Sequence, residues 1–395
     1  MKKFCLILLS SLFLASVRAE EANDEEIKKL RQEAQEISSS EAPTTSTATS
    51  VFTSGERSLQ ALNPEISVIG DGGLRFLLSD LDPQSIKYDS GFFFRVLGLH
   101  FQSDLDPYSF FKAAVELNPE EIALAEAYAT FTNIVPGLNL TAGKFRQRLG
   151  LVQRWHEHAL DQFDFPLVIS EFLGEEGLCQ IGISLDWQMP ALWTNHMEIT
   201  LQVTNQMNEA LFSGQLFGPP ATLLRWGQYF DLSPATYLEF GLSGIFGTNN
   251  RLNLENEQGQ LYDEPWRTTT VGAADFTLSW APPESERDRH LTFRGEVFWL
   301  GKEIAGGYLS RWGGYAYLDA GLSESLTVGA RADALQMVEE PAWLWAATAY
   351  LTWWQSEWVG LRVQFSHRAP EKNPAEELLI LQLMFAAGPH KHDKY

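Results

Sequence analysis

From about Pro64 to Gly388 the chain is a succession of segments, ten to fourteen residues long, in which apolar and polar side chains alternate between stops of Pro, Gly, Asn, Asp or Ser. Neighbouring side chains of a strand point to opposite faces, so each segment has one greasy and one polar face. Ile181, Ile183, Leu185 and Trp187 oppose Gly182, Ser184, Asp186 and Gln188, and Leu361, Val363 and Phe365 oppose Arg362, Gln364 and Ser366. A soluble sandwich alternates too, but its strands run about five to six residues and its greasy faces must meet each other. A strand tilted across a bilayer needs about nine to eleven residues, with its apolar side toward lipid. Segment length therefore selects an all-β fold, a transmembrane antiparallel up-and-down barrel.

One segment tests this reading. Trp343, Trp345, Ala347, Ala349, Leu351 and Trp353 share a face, with tryptophans at both ends and small apolar residues between. Ten residues at ~3.3 Å rise and ~40° tilt climb roughly 25 Å, the height of the apolar band between two aromatic girdles. Trp343, Trp345 and Trp353 are thus girdle candidates. About 16 segments can be counted, centred near residues 70, 96, 111, 126, 143, 183, 201, 226, 241, 273, 295, 315, 330, 348, 363 and 382. An even count places both barrel ends on one side. Short turns such as Pro136-Gly137 follow even segments, and long connections (Leu78 to Ser90, Leu149 to Leu178, Gln206 to Pro219, Asn249 to Pro265) follow odd ones. Short periplasmic turns and long external loops are the bacterial arrangement.

The remainder of the chain agrees with export. Residues 1–19 read as a signal peptide: Lys2 and Lys3, a short apolar run from Leu6 to Leu14, then Val17 and Ala19 at the cleavage site. Residues 20–60 hold a short helix candidate, Asn23 to Ile37, and a Ser/Thr/Pro-rich linker, both expected in the periplasm, before a barrel over residues 61–395. Loss of Lys2, Lys3 and Arg18 takes the formal charge from -22 to -25, which argues against nucleic acid as a partner. Cys5 leaves with the signal and Cys179 stands alone, so disulfides do not hold the fold.

A barrel of ~16 strands is wide enough for an aqueous channel, whose wall charges bias which solutes pass. The inward candidates are mixed: Arg225, Arg294, Arg331 and Arg362 alternate with Glu239, Asp275, Glu296 and Asp333. Lys144, Arg146 and Arg148 lean basic; they read either as a constriction that attracts anions or as a rim cluster meeting lipopolysaccharide phosphates or acidic loops. The loop from Gly150 to Gly177 carries Trp155-His156-Glu157-His158, then Asp161 and Asp164. Imidazoles and carboxylates can ligate transition metals, but the spacing matches no zinc signature, and a loop folded inward to narrow the pore is the favoured reading. The tail His390-Lys391-His392-Asp393 is equally weak as a metal motif. No nucleophile elbow, phosphate loop, dinucleotide fingerprint or CxxC pair occurs, so neither catalysis nor a cofactor is expected. The expected function is a porin-type channel for small solutes in the bacterial outer membrane, surrounded by lipid and lipopolysaccharide. The alternative is a surface receptor or metal-acquisition barrel that captures its ligand with the long loops. Homo-oligomers are common in such barrels, though no feature here demands one.

Four stretches carry a resemblance: Asn63-Pro64-Glu65-Ile66-Ser67-Val68-Ile69-Gly70-Asp71; Ala142-Gly143-Lys144-Phe145-Arg146-Gln147-Arg148-Leu149-Gly150; Arg154 to His158 with Asp164-Phe165-Pro166; and the ending His390 to Tyr395. From about residue 61 onward the chain resembles a family of porin-like bacterial outer-membrane proteins, some labelled zinc-regulated or TonB-dependent outer-membrane receptor. The resemblance implies an outer-membrane barrel, closed by an aromatic residue on its last strand, a part that falls here to Phe385. No plug is expected: TonB-dependent transporters have 22-stranded barrels filled by a globular domain, and the ~40 residues ahead of the first strand are too few to form one.

Overall fold

The computed structural model describes residues 64–78, 90–190, 193–256, 258–283 and 289–389. The signal, the helix candidate, the linker, most of the Leu78 to Ser90 connection and the tail from His390 lie outside the described residues.

The alternating segments form β1 (Glu65–Leu77), β2 (Gly91–Asp106), β3 (Ser109–Leu117), β4 (Ile122–Val135), β5 (Leu138–Arg146), β6 (Cys179–Met189), β7 (His196–Thr204), β8 (Ala221–Ser233) and β9 (Thr236–Thr248). A small hairpin, β10 (Leu254–Glu255) with β11 (Leu261–Tyr262), interrupts the series. It resumes with β12 (Thr268–Trp280), β13 (His290–Ile304), β14 (Gly307–Ser323), β15 (Leu326–Gln336), β16 (Trp343–Ser356), β17 (Val359–Pro370) and β18 (Glu376–Ala387). Apart from the hairpin, successive strands pair antiparallel, β9 with β12, and β1 pairs with β18 from Val68 opposite Ala387 to Leu77 opposite Leu378. The sheet therefore closes with 16 strands, and each of the 16 centres read from the sequence falls inside one of them.

Burial runs opposite to that of a soluble protein. On β17, Val363 is 43% exposed while its neighbour Gln364 is 1% exposed. Leu361 and Phe365 face out with Val363; Arg362 and Ser366 are buried with Gln364. Trp345 and Trp353 stand exposed at opposite ends of the outer face of β16, with Trp343 stacked on Trp345. At one end the strands are joined by short turns, among them Pro136-Gly137 and Pro234-Ala235; the other end carries the long connections 147–178, 205–220 and 249–267.

β-bulges re-aim particular side chains. The register of β1 against β2 shifts between Asp71 and Gly72, so that Asp71 lies opposite Val96 and Gly72 opposite Phe94. Arg95 is the extra residue, and its guanidinium turns in to Asp71.

Candidate functional site

The site is the connection 147–178, which leaves the end of β5 and folds back inside the barrel. Gly150 makes the entry: its φ of +71° suits glycine, and a Cβ there would overlap the Glu296 carboxylate. That carboxylate accepts hydrogen bonds from the backbone N–H groups of Leu151 (3.0 Å) and Val152 (2.8 Å), and from the Tyr315 hydroxyl. Beyond it come two single 3-10 turns, Val152–Arg154 and Glu157–Ala159, then α1 (Leu167–Leu173).

Wall charges hold this loop along its whole length. Arg225 donates to the Gly150 carbonyl (3.0 Å) and forks onto Asp275. Arg362 donates to the Leu160 carbonyl (2.9 Å), and Tyr317 and Arg294 both reach Asp161. Asp164 collects Gln364 (2.8 Å), Arg368 (3.1 Å) and Arg331 (3.3 Å), while Asp333 accepts from the N–H of Leu167 (3.0 Å). Burial alone would raise the Asp164 carboxyl, yet Arg331 and Arg368 hold it below the usual range. Arg95 donates to the Phe163 carbonyl from β2, three strands round the wall from β17. Backbone groups of an irregular segment buried in a barrel need such partners, and the wall supplies them.

The loop's other contribution is apolar. Leu149, Leu151, Val152, Trp155, Leu160 and Phe165, together with the buried side of α1 (Val168, Ile169, Phe172, Leu173), form a dry cluster with wall residues of β8 to β15, among them Leu223, Ile245, Val271, Phe298, Leu300 and Leu335. These wall positions lie in the strand halves next to the long connections. That part of the lumen is therefore packed rather than wet.

Against β2, β3 and β4 the contact is polar. His156 Nε2 stands 2.8 Å from Glu126 and Nδ1 3.4 Å from Glu116. His100, His156 and His158 are mutual neighbours, with ring centroids 5.1 to 5.3 Å apart. Among the described residues no group of three or more His, Cys, Asp or Glu side chains is arranged to hold a metal ion, and these imidazoles contact one another through their rings.

Among the described residues two cavities lie inside the barrel beside the loop, the second bounded by strand halves next to the short turns and the first running from the short-turn ends, at Asn139 and Gln188, up to Phe145 and Arg146 at the far end of β5. The first, about 280 Å³, lies between the loop and β3 to β7 and is lined by Lys112, Glu126, Arg146, Arg148, Arg154 and Glu198, among others. The second, about 380 Å³, lies under the loop against β13 to β17, with Asp161, His290, Arg294, Asp319 and Arg362 on its wall.

The eleven wall residues read from the sequence therefore divide, with Asp275 buried in the fork of Arg225. Arg225, Arg294, Glu296, Arg331, Asp333 and Arg362 face inward and bind the loop. Glu239 lies on the inner side of β9, opposite Tyr229 and Thr277. Arg148 lines the first cavity, paired with Glu198 and, at 3.3 Å, with Asp186. Lys144 requires a correction. It lies opposite Ala127 and Ile181, the latter 43% exposed, so it stands on the outer face, where its ammonium donates to the Leu124 carbonyl (2.6 Å). The three basic residues therefore do not act as one group: Arg146 ends β5 and lines the first cavity, and Arg148 belongs to the entering loop, beyond the reach of the alternation rule.

Alternation also missed Arg95, which a bulge turns inward, and Arg154, which has no strand pattern. An Asp in the first strand with an Arg in the second was the available signal for the Asp71–Arg95 pair, but pairing two charges in sequence requires the register.

No protein-family model matches the sequence. A protein of Aquifex aeolicus (strain VF5), described as uncharacterised, is 26% identical over 225 residues, covering 54% of this chain and 46% of its own length. Among solved structures the barrel is similar to an anion-selective porin from Comamonas acidovorans (TM-score 0.56, 9% identity, 82% of this chain and 99% of that one). It is also similar to the outer-membrane channel DcaP of Acinetobacter baumannii (0.54, 11%, 84% and 99%). A third, the outer-membrane protein OmpT of Vibrio cholerae in its trimer form, gives 0.53 at 9% identity over 83% of this chain and all of that one. At these identities the likeness is one of fold: the chain has the 16-stranded barrel of outer-membrane porins. None of the three descriptions carries the zinc-regulated receptor label.

Proposed function

We propose that this chain is a porin-type channel of a bacterial outer membrane, narrowed from within by the loop 147–178, and not an enzyme. The observation that carries the reading is the inside-out burial of a closed 16-stranded barrel: leucines, valines and tryptophans on the outside, amides and charges within, and cavities left beside the loop. An outer face of this kind suits lipid and lipopolysaccharide and would be poorly soluble in water. Porins and channels among the structures of similar fold support it, and the trimer form of one supports a homo-oligomer. The short turns then lie in the periplasm and the long connections outside. Because the loop fills the lumen next to β8 to β15, the passage runs on the side of β2 to β7.

Two outcomes follow. Proteoliposomes containing the full chain should swell in small neutral solutes such as glycine and stop swelling at a size below that admitted by barrels whose loops leave the centre open. No swelling in any solute would remove the channel reading. On the outer face, Ala349 sits midway between Trp345 and Trp353, and Ala349→Arg is expected to cost about 2–4 kcal/mol of folding stability in lipid vesicles, measured by reversible denaturant unfolding. A change within about 0.5 kcal/mol, ordinary for a water-exposed site, would place that face in water.

A further inference from the structure

The first cavity contains two arginines, Arg146 and Arg154, that form no ion pair among the described residues. Of its four basic side chains, Lys112 stands 4.0 Å from Glu126, and Arg148 is paired with both Glu198 and Asp186. Among the described residues the Arg154 side chain makes no hydrogen bond and has no carboxylate within ion-pair distance; its Nε is buried without a partner. Arg146 donates from Nη1 to the Glu176 carbonyl (3.1 Å), but its Nε is likewise buried and unpartnered. A buried donor left unsatisfied costs about 1–3 kcal/mol, and more when charged. The three carboxylates in the cavity are already engaged, Glu126 by His156 and Lys112, Asp186 and Glu198 by Arg148.

Arg154 is also held rigidly. It ends a 3-10 turn whose first N–H, that of Val152, and the N–H of Leu151 just before it are bound by Glu296, and Trp155 beside it is buried with Arg294 over its ring. Burial, with Arg148 and Arg225 nearby, pushes the Arg154 guanidinium down to about 10, so it remains a cation at neutral pH in a field that already favours negative charge. Further along the cavity the wall becomes aromatic and hydroxylic: Phe110, Tyr128, Phe145, Thr130 and Thr141.

We infer that this cavity is a binding site for a small organic carboxylate, with the carboxylate on Arg154 between Arg148 and Arg146 and the carbon body against Phe110, Tyr128 and Phe145. The planar fork of a guanidinium matches a carboxylate bidentately, which accounts for arginine as the residue left open. The cavity runs from the strand ends at the short turns, at Asn139, Gln188 and Glu198, up to Arg146 at the far end of β5, so the site lies beside the loop within the lumen of the proposed channel; that placement rests on the channel reading, whereas the binding does not.

Calorimetric titration of the full chain in detergent, with benzoate as probe and benzamide as its neutral isostere, tests it. Saturable benzoate binding is expected, with benzamide at least about tenfold weaker, a difference near 1.4 kcal/mol. Arg154→Gln should weaken benzoate tenfold or more, Arg146→Gln less, and Arg154→Lys should recover part of the loss. Circular dichroism and heat-shifted gel mobility confirm that each variant is folded. Benzamide binding as tightly as benzoate, benzoate affinity unchanged in folded Arg154→Gln, or no saturable binding up to about 10 mM would each overturn the site. A chain that binds benzoate yet passes no current would keep the site and lose the channel; channel steps without binding would do the reverse.

Discussion

Excising residues 151–176, with Gly150 joined to Gly177 through a short Gly-Ser bridge, is expected to raise single-channel conductance several-fold. The reasoning is volumetric. A 16-stranded barrel encloses an aqueous bore unless something fills it. Here the filling is the loop with its apolar cluster from Leu149 to Leu173, packed on Leu223, Ile245, Val271 and Phe298. Removing it exposes those wall residues and the carboxylates of Glu296 and Asp333 to water, yet it leaves all 16 strand pairings intact. Heat-shifted gel mobility should therefore still report a closed barrel, and planar-bilayer recordings should show larger, noisier steps. Unchanged conductance in a folded variant would mean that the loop does not obstruct the path.

The second large effect is on stability. Arg225→Ala should destabilise the folded barrel by about 3–5 kcal/mol, because it leaves Asp275, 1% exposed, as an uncompensated buried charge. It also removes the donor to the Gly150 carbonyl, at the point where the loop enters. The control is the double variant Arg225→Met with Asp275→Leu. Replacing a buried ion pair by apolar groups of similar volume is often neutral, so this variant should regain most of the loss while its loop anchor remains cut. Denaturant unfolding in lipid vesicles measures both. A single variant within about 1 kcal/mol of the parent would show that the pair is hydrated.

Strand number, strand boundaries and the inside-out alternation were legible because each is a local, period-2 property repeated over segments long enough to cross a bilayer. Val363 out and Gln364 in, or Ile183 out and Ser184 in, follow from spacing alone. Three things were not local. The first is where a strand stops: β5 ends at Arg146, which puts Lys144 outside and releases Arg148 into the loop. The second is the bulge that turns Arg95 onto Asp71, which depends on the register between β1 and β2. The third is the use of the inner charges. Alternation identifies Glu296 and Arg331 as inward but is silent on their partners, which lie 144 to 167 residues away along the chain, at Leu151, Val152 and Asp164. In the loop, Leu149, Leu151 and Val152 read as an irregular apolar stretch beside His156 and Asp161; only closure of the barrel around them makes that stretch a core.

The same distinction bears on selectivity. Charges read from sequence as a channel lining are mostly consumed in holding the loop, so changing Arg331 or Arg362 should disturb the fold of the loop before it alters which ions pass. Selectivity should follow Arg146, Arg148 and Arg154, the cations of the first cavity.

Recording the intact full-length chain in a planar lipid bilayer tests the central claim most directly. Discrete current steps of one reproducible size are expected, smaller than those of the loop-excised form. A folded, membrane-inserted chain that gives no steps at any voltage would contradict it.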